Sequence, residues 1–452
     1  MKKSILLLLS LMLCLILSPQ VYAETVEKDK AFYEVNADGQ TVSLESITDN
    51  EQRETYRIPE KVEVNGKTYT VTAVKGGIFY AKKIVIPATV KQIDFGGVNW
   101  GDKELEVAPG NPVYKVKNNI LYTADGKTVV FSSKQSGTVK IADGVKTIAG
   151  DAFHGSDLTA LELPKSLEKI EAGAFENCTK LRRIKVSAKN PYMMEKAGAL
   201  YTKNGKKLLY AGVAKGTLML PKKTTQIAAN AFYGNTTVEA VFIQGKMKKL
   251  AKKSLAFSRI KDVTLPDSLL EIEEGAFMYC SKLADVEIPK SVKKIGANAF
   301  DGCYEMERVV LPKKLTTLEK ETFRNCYSLR KIDLPKSLRT IKAGTFESCG
   351  FNQLIIPKSV KIIGKNALQV TTKKLIFKGK NVPKIAKQNA CQYGKYAGNT
   401  DPDFDLGVVR LDDIDIQYPM QHGIGKVNVP AESTGKYKKA LKGKMEYREL
   451  EY

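Results

Sequence analysis

The chain has 452 residues, enough for two or three ordinary domains or for one elongated repeat array. Its 43% hydrophobic and 27% charged residues exclude a disordered chain. A formal charge of +23 concentrates anionic partners near the surface and carries no information about fold.

In chain order, the first predicted element is a secretory signal over residues 1–23. Lys2 and Lys3 precede the apolar run "ILLLLSLMLCLIL", Pro19 breaks it, and "VYA" ends in the small residue Ala23. Leu13 before Cys14 is not the small residue a lipid-acylated cysteine requires. No later segment approaches the ~18 apolar residues of a membrane span. The expectation is an exported protein, secreted or at the cell surface, with no membrane span after signal removal.

A β-rich N-terminal cap is expected over residues 24–74, a repeat array over 75–378 and a C-terminal segment with a closing turn over 379–452. The array announces itself by its period. Phe277, Phe300, Phe323 and Phe346 are 23 residues apart, and Pro266, Pro289, Pro312 and Pro335 keep the same step. So do Cys280, Cys303, Cys326 and Cys349. Looser copies run from "IVIPATVKQI" at Ile84 to "IIPKSVKIIGKNALQV" at Ile355. A fixed period of this length is the signature of a solenoid. Within one unit, Leu329, Ile332 and Leu334 give a short strand, and Pro335 stops its ladder for want of an amide hydrogen. Leu338, Ile341 and Phe346 return to the same interior, and only a stacked neighbour can cover them.

Two longer interruptions are expected as insertions, about 111–131 and 190–210. "NPVYKVKNNILYTADGKTVVF" and "NPYMMEKAGALYTKNGKKLLY" each read as a β-hairpin whose type I′ turn is Asp125-Gly126 or Asn204-Gly205.

The phrase "LPxSLxxIxxxAFxxC", the "NP…LYT" hairpins and the N-terminal "FYEVNADGQTVSLES" together closely resemble the BspA-type leucine-rich repeat family, secreted or surface proteins of bacteria and some protists. The resemblance is strong over about residues 32–378 and weak in the tail, where "VNVPAESTGKYKKALK" looks like a closing turn. It implies a leucine-rich-repeat solenoid, β-rich with short helical or 3-10 turns: a single elongated, curved, right-handed array with hairpin insertions. It implies adhesion or host binding and no enzymatic activity, and it carries over no catalytic or ligand residue.

Among candidate sites the cysteines come first. Outside the signal they are Cys178, Cys280, Cys303, Cys326, Cys349 and Cys391. An even count in an exported protein invites disulfides. The 23-residue step instead stacks Cys280, Cys303, Cys326 and Cys349 about 5 Å apart with parallel Cβ vectors, which suits a buried structural column. A straight column also lacks the convergence that metal binding demands. Second are Lys165, Lys222, Lys290, Lys313, Lys336 and Lys358, each following a strand-ending proline, with Asp267 in that slot once. They are either the polar residues any turn requires or a basic column for a polyanion.

Wider charge runs sharpen the second reading without displacing the first. Between Ser348 and Thr400 there is no acid, while Lys358, Lys361, Lys365, Lys373, Lys374, Lys378, Lys380, Lys384, Lys387 and Lys395 alternate with Phe377, Tyr393 and Tyr396. No nucleic-acid recognition motif accompanies them, so the expected partner is an anionic glycan, or a host matrix or surface protein. Catalytic motifs are lacking: His154 and His422 have no partners at motif spacing, and no cofactor or metal is expected. "DPDFD" at Asp401 and "DDID" at Asp412 lack the glycine and closing glutamate of a calcium loop.

Overall fold

The computed structural model describes residues 25–48, 53–78, 80–94, 98–99, 103–132, 136–386, 424–442 and 447–451. The signal segment, Cys391, Lys387, Lys395, Tyr393, Tyr396, His422 and both acidic runs of the tail lie outside the described residues. The chain forms two compact units, divided between Gly126 and Lys127.

In the first unit, Thr25–Lys28, Ala31–Val35 and Thr41–Ile47 form an antiparallel meander, and the last of these runs parallel to Lys67–Val74. Coiling then begins: Arg53–Arg57, Ala81–Ile86 and Glu104–Val107 pair in parallel.

The second unit repeats this coil. One row of parallel strands includes Asp285–Glu287, Arg308–Val310 and Lys331–Ile332, in a register that pairs Asp285 with Arg308 and Arg308 with Lys331. A second row, of two-residue strands, includes Glu271–Ile272, Lys294–Ile295, Thr317–Leu318 and Thr340–Ile341. Val286, Val309, Ile295 and Leu318 point inward and are all buried, while Val310 alternates to the outside. Phe277, Phe300, Phe323 and Phe346 are fully buried and stack at centroid distances of 5.0, 5.4 and 5.9 Å. Each ring covers the next, so the core is continuous although no single coil could close one.

The segment carrying that phenylalanine is two successive turns. The residues two before and two after it take positive φ: Gly275 and Tyr279, Asn298 and Gly302, Glu321 and Asn325, Gly344 and Ser348. A left-handed residue every four positions interrupts any right-handed helix before it completes a turn. Among the described residues the helical ones are Ala431–Ser433 and Thr434–Leu441 in the closing turn. No helix is long and apolar enough to cross a membrane among them.

The hairpins differ from expectation. The antiparallel pairs are Tyr114–Lys117 with Ile120–Thr123, and Met193–Lys196 with Ala199–Thr202. Their two-residue turns are Asn118-Asn119 (φ 52° and 59°) and Ala197-Gly198 (φ 52° and 76°), the left-handed pair that type I′ requires. Asp125-Gly126 and Asn204-Gly205 lie one turn later, in four-residue loops. There the glycine N–H donates to the carbonyl of Thr123 or Thr202 at 2.7 Å, and only the glycine has positive φ. The Asp-Gly and Asn-Gly pairs are therefore type I turns followed by a left-handed glycine, and the expected type I′ assignment is corrected.

The "NP" that opens each insertion has a structural reason. Buried Asn190 donates from Nδ2 to the carbonyls of Pro164 and Leu167, both at 2.9 Å. Its Oδ1 accepts from the amides of Tyr192 and Met193 at 2.8 and 2.9 Å. Asn111 repeats the arrangement with Pro87, Val90, Val113 and Tyr114. Each asparagine thus pins the insertion to the preceding proline turn. Asn190→Ala, which orphans those partners, is expected to cost about 1–3 kcal/mol in urea unfolding, and Asn190→Asp less at low pH than at neutral pH.

Candidate binding face: a lysine column and a basic groove

The lysine column is set by a turn. After each strand-ending proline the chain reverses, and the residue three places on donates to the proline carbonyl: Val292 to Pro289 at 3.0 Å, Leu315 to Pro312 at 3.1 Å, Leu338 to Pro335 at 3.0 Å and Val360 to Pro357 at 3.1 Å. The lysine therefore occupies the first corner of a β-turn, where its side chain leaves the surface. The serine that follows ties successive turns together: Ser291 Oγ donates to the Leu269 carbonyl and Ser337 Oγ to the Leu315 carbonyl, both at 2.6 Å.

Lys165, Lys222, Lys290, Lys313, Lys336 and Lys358 are all exposed. Among the described residues none of the six forms an ion pair, whereas other lysines do so repeatedly. Lys146 meets Glu168 at 2.5 Å, Lys180 meets Asp157 at 2.6 Å, and Lys342 meets Glu319 at 2.6 Å. Glu271 bridges Lys249 and Lys294, both at 2.8 Å. These pairs join adjacent coils, and each contributes at most about 1 kcal/mol. Their effect is to neutralise the surface locally. The post-proline column is left unneutralised.

At its C-terminal end the column enters a groove of ≈ 930 Å³. Arg330, Lys331, Lys336, Arg339, Lys358, Lys361 and Lys378 line it against one carboxylate, Asp333, with Leu334 and Ile355 supplying apolar surface. Among the described residues none of these seven cations is ion-paired. Two are fixed by main-chain contacts: Arg330 Nη1 donates to the Gly350 carbonyl at 2.9 Å, and Arg339 Nη1 reaches that of Ser359 at 3.4 Å. Exposed Ile355, at 37%, gives the groove an apolar contact beside its charge. Inspection of the sequence singled out Lys336, Lys358, Lys361 and Lys378 but missed Arg330, Lys331 and Arg339. A signal existed, since Arg339 lies one repeat before Lys361, whose amide donates to the Arg339 carbonyl at 2.8 Å.

The cysteines lie inside, on another part of the coil. Cys178, Cys280, Cys303, Cys326 and Cys349 are free and buried. Each thiol donates to a main-chain carbonyl of the preceding coil: to Phe153 at 2.9 Å, Leu255 at 3.1 Å, Phe277 at 3.2 Å, Phe300 at 3.2 Å and Phe323 at 3.0 Å. Where the slot holds Asn235, its Nδ2 does the same to Ala211 at 2.8 Å. The column satisfies backbone acceptors that a tight turn would otherwise leave orphaned.

A model of the BspA type leucine-rich repeat region matches six copies here, over residues 127–204, 206–303 and 248–375. The chain belongs to the BspA-type leucine-rich repeat family. No curated protein matches it. Solved structures similar to this BspA-type chain include the pneumococcal vaccine antigen PcpA, 16% identical over 95% of this chain and 98% of that one, with a TM-score of 0.39. A leucine-rich repeat protein from Bacteroides ovatus is 17% identical over 94% of this chain and all (100%) of that one, with a TM-score of 0.42. One from Eubacterium ventriosum is 17% identical over 75% and 92%, with a TM-score of 0.43.

Proposed function

We propose that this BspA-type protein is an exported, non-enzymatic binding protein that adheres to host matrix, mucus or other bacteria through its repeat surface, and that the bound chemistry is anionic. The supporting observation is the contrast between lysines paired across coils and the unpaired post-proline column that runs into the basic groove. A row of like charges at strand spacing repels itself and is tolerated because water and salt screen it. An acidic polymer relieves that repulsion along its whole length, whereas a small anion relieves it at one point. Family membership supports a repeat-based binding or surface role, and the apolar rim at Ile355 suits a glycan or a matrix protein that presents sulfates or carboxylates.

Retention on immobilised heparin, used as the model polyanion, is expected to fall steeply as salt rises. The triple variant Lys336→Glu, Lys358→Glu, Lys361→Glu should elute at clearly lower salt and bind at least about tenfold more weakly, with an unchanged circular dichroism spectrum. Retention indifferent to salt, or equal retention of the folded variant, would overturn the reading.

A further inference from the structure

A second cluster lies away from the basic groove, on the turn segment of the coil. The residues that directly follow the stacked phenylalanines share one position on successive coils. Asp301 and Arg324, both at that position, touch at 2.7 Å. Earlier in the array the same position holds His154 and then Glu176. The left-handed residue two before Phe153 is Asp151, at φ 60°. The ligand atoms of Asp151, His154 and Glu176 all lie within 4.8 Å of one another. We propose that Asp151, His154 and Glu176 form a binding site for a transition-metal dication of the zinc class.

Several observations carry this. The two carboxylates converge on a bare stretch of backbone: a Cβ at Gly173 would stand 2.9 Å from Asp151 Oδ1 and 3.6 Å from Glu176 Oε2. Glycine there leaves room for the carboxylates to face each other. In a chain with 72 Lys+Arg, neither acid forms an ion pair with a lysine or arginine among the described residues. Tyr233 hydrogen-bonds to Glu176 and Lys253 acts on it only through its field, so two acids are gathered with an imidazole and, among the described residues, no paired cation. The outer contacts are those of a ligand set. Asn230 Nδ2 donates to Glu176 Oε2 at 3.4 Å, and Asn177 Nδ2 stands 3.3 Å from His154 Nε2. A metal on one ring nitrogen leaves the other to that amide, which offers a donor or an acceptor by rotation.

The donor set selects the ion. One imidazole and two carboxylates suit zinc and its first-row neighbours, while calcium and magnesium prefer oxygen alone. Metal–ligand lengths of about 2.0–2.2 Å require the exposed Asp151 and His154 to close in by less than about 1 Å. Three protein ligands leave at least one position to water or to an outside group.

The test is zinc uptake by the chelator-treated full chain, read by equilibrium dialysis. One equivalent is expected, weakened more than about tenfold in His154→Ala and in Glu176→Gln and retained in His422→Ala and Cys391→Ser. Because the sequence has only two histidines, the His154 ring signals can be followed by NMR and should shift with zinc. No uptake by the unaltered chain, uptake undiminished in His154→Ala, or calcium binding as tight as zinc would each overturn the site. A folded His154→Ala variant should keep its heparin retention, which separates this result from the fate of the basic face.

Discussion

Raising the pH above about 9 is expected to unfold the repeat array steeply, and replacing its buried cysteines by serine should remove most of that steepness. Burial pushes the Cys178 and Cys280 thiols up to about 12, and it drives those of Cys303 and Cys326 well above the ordinary value. Unfolded cysteine titrates near 8.5. Between these limits the folded chain keeps protons that the unfolded chain releases, so stability is full below the unfolded value and falls as pH rises. The slope is about 1.4 kcal/mol per pH unit for each thiol, and roughly 5 kcal/mol for the four together. That is comparable to the whole stability of an ordinary domain within about two pH units. Circular dichroism against pH, under reducing conditions, measures it. Serine retains a donor for the carbonyls of Phe153, Leu255, Phe277 and Phe300 but does not ionise in this range. The fourfold Cys→Ser variant should thus lose the slope below pH ~10, leaving buried tyrosines such as Tyr201, pushed up to about 12, to act above it. An unchanged alkaline midpoint in that variant would sink the account. The same burial leaves the thiols of Cys178, Cys280, Cys303 and Cys326 without thiolate near neutral pH, so these four should resist Ellman's reagent until the chain unfolds.

Arg324→Ala is expected to cost about 3–5 kcal/mol, far more than loss of any surface pair, because it strands a buried carboxylate. The Asp301 side chain is fully buried and accepts from Arg324 Nε at 3.1 Å and Nη2 at 2.7 Å, from Asn325 Nδ2 at 3.2 Å and from Asn298 Nδ2 at 3.3 Å. Arg324 Nη1 also meets Glu321 at 3.2 Å. Burial already pushes the Asp301 carboxyl up, with Arg324 opposing it. Removing the arginine raises it further, so the variant's folded state holds a proton that the unfolded state gives up near pH 3.9. Its stability deficit should therefore be smallest near pH 4 and grow as pH rises. Urea unfolding at pH 4.5 and 7.5 measures both. Replacing the pair together, as Asp301→Leu with Arg324→Leu, should recover most of the loss, since two buried charges give way to apolar contact. A single-variant cost within about 1 kcal/mol at both pH values would refute the role given to Arg324.

The 23-residue period made much of this legible. It placed Phe277, Phe300, Phe323 and Phe346 one above another, and it placed Cys326 over Cys303 and Lys336 over Lys313, because a coil of constant length stacks equal positions. Composition and turn chemistry then separated inside from outside. Apolar residues flank the strand ends, and a lysine after proline falls on a turn corner. The family resemblance followed from the same repeated phrase.

The tertiary structure decided what those stacked positions touch. Left-handed residues two before and two after each phenylalanine steer side chains out of the strand rows, and a sequence pattern of apolar residues does not record φ. Hence His154 comes within 4.8 Å of Glu176, and Asp301 meets Arg324, although neither pair stands at motif spacing. Hence also the type I′ turns sit at Asn118-Asn119 and Ala197-Gly198, one turn before the Asp-Gly and Asn-Gly pairs. Which lysines pair was likewise settled by distance: an acid one coil away meets Lys146 and Lys342, while among the described residues none reaches the post-proline column. Repetition along the chain determined the order of the stack. Backbone handedness within each turn determined which side chains meet, because a single φ of opposite sign redirects every contact that follows it.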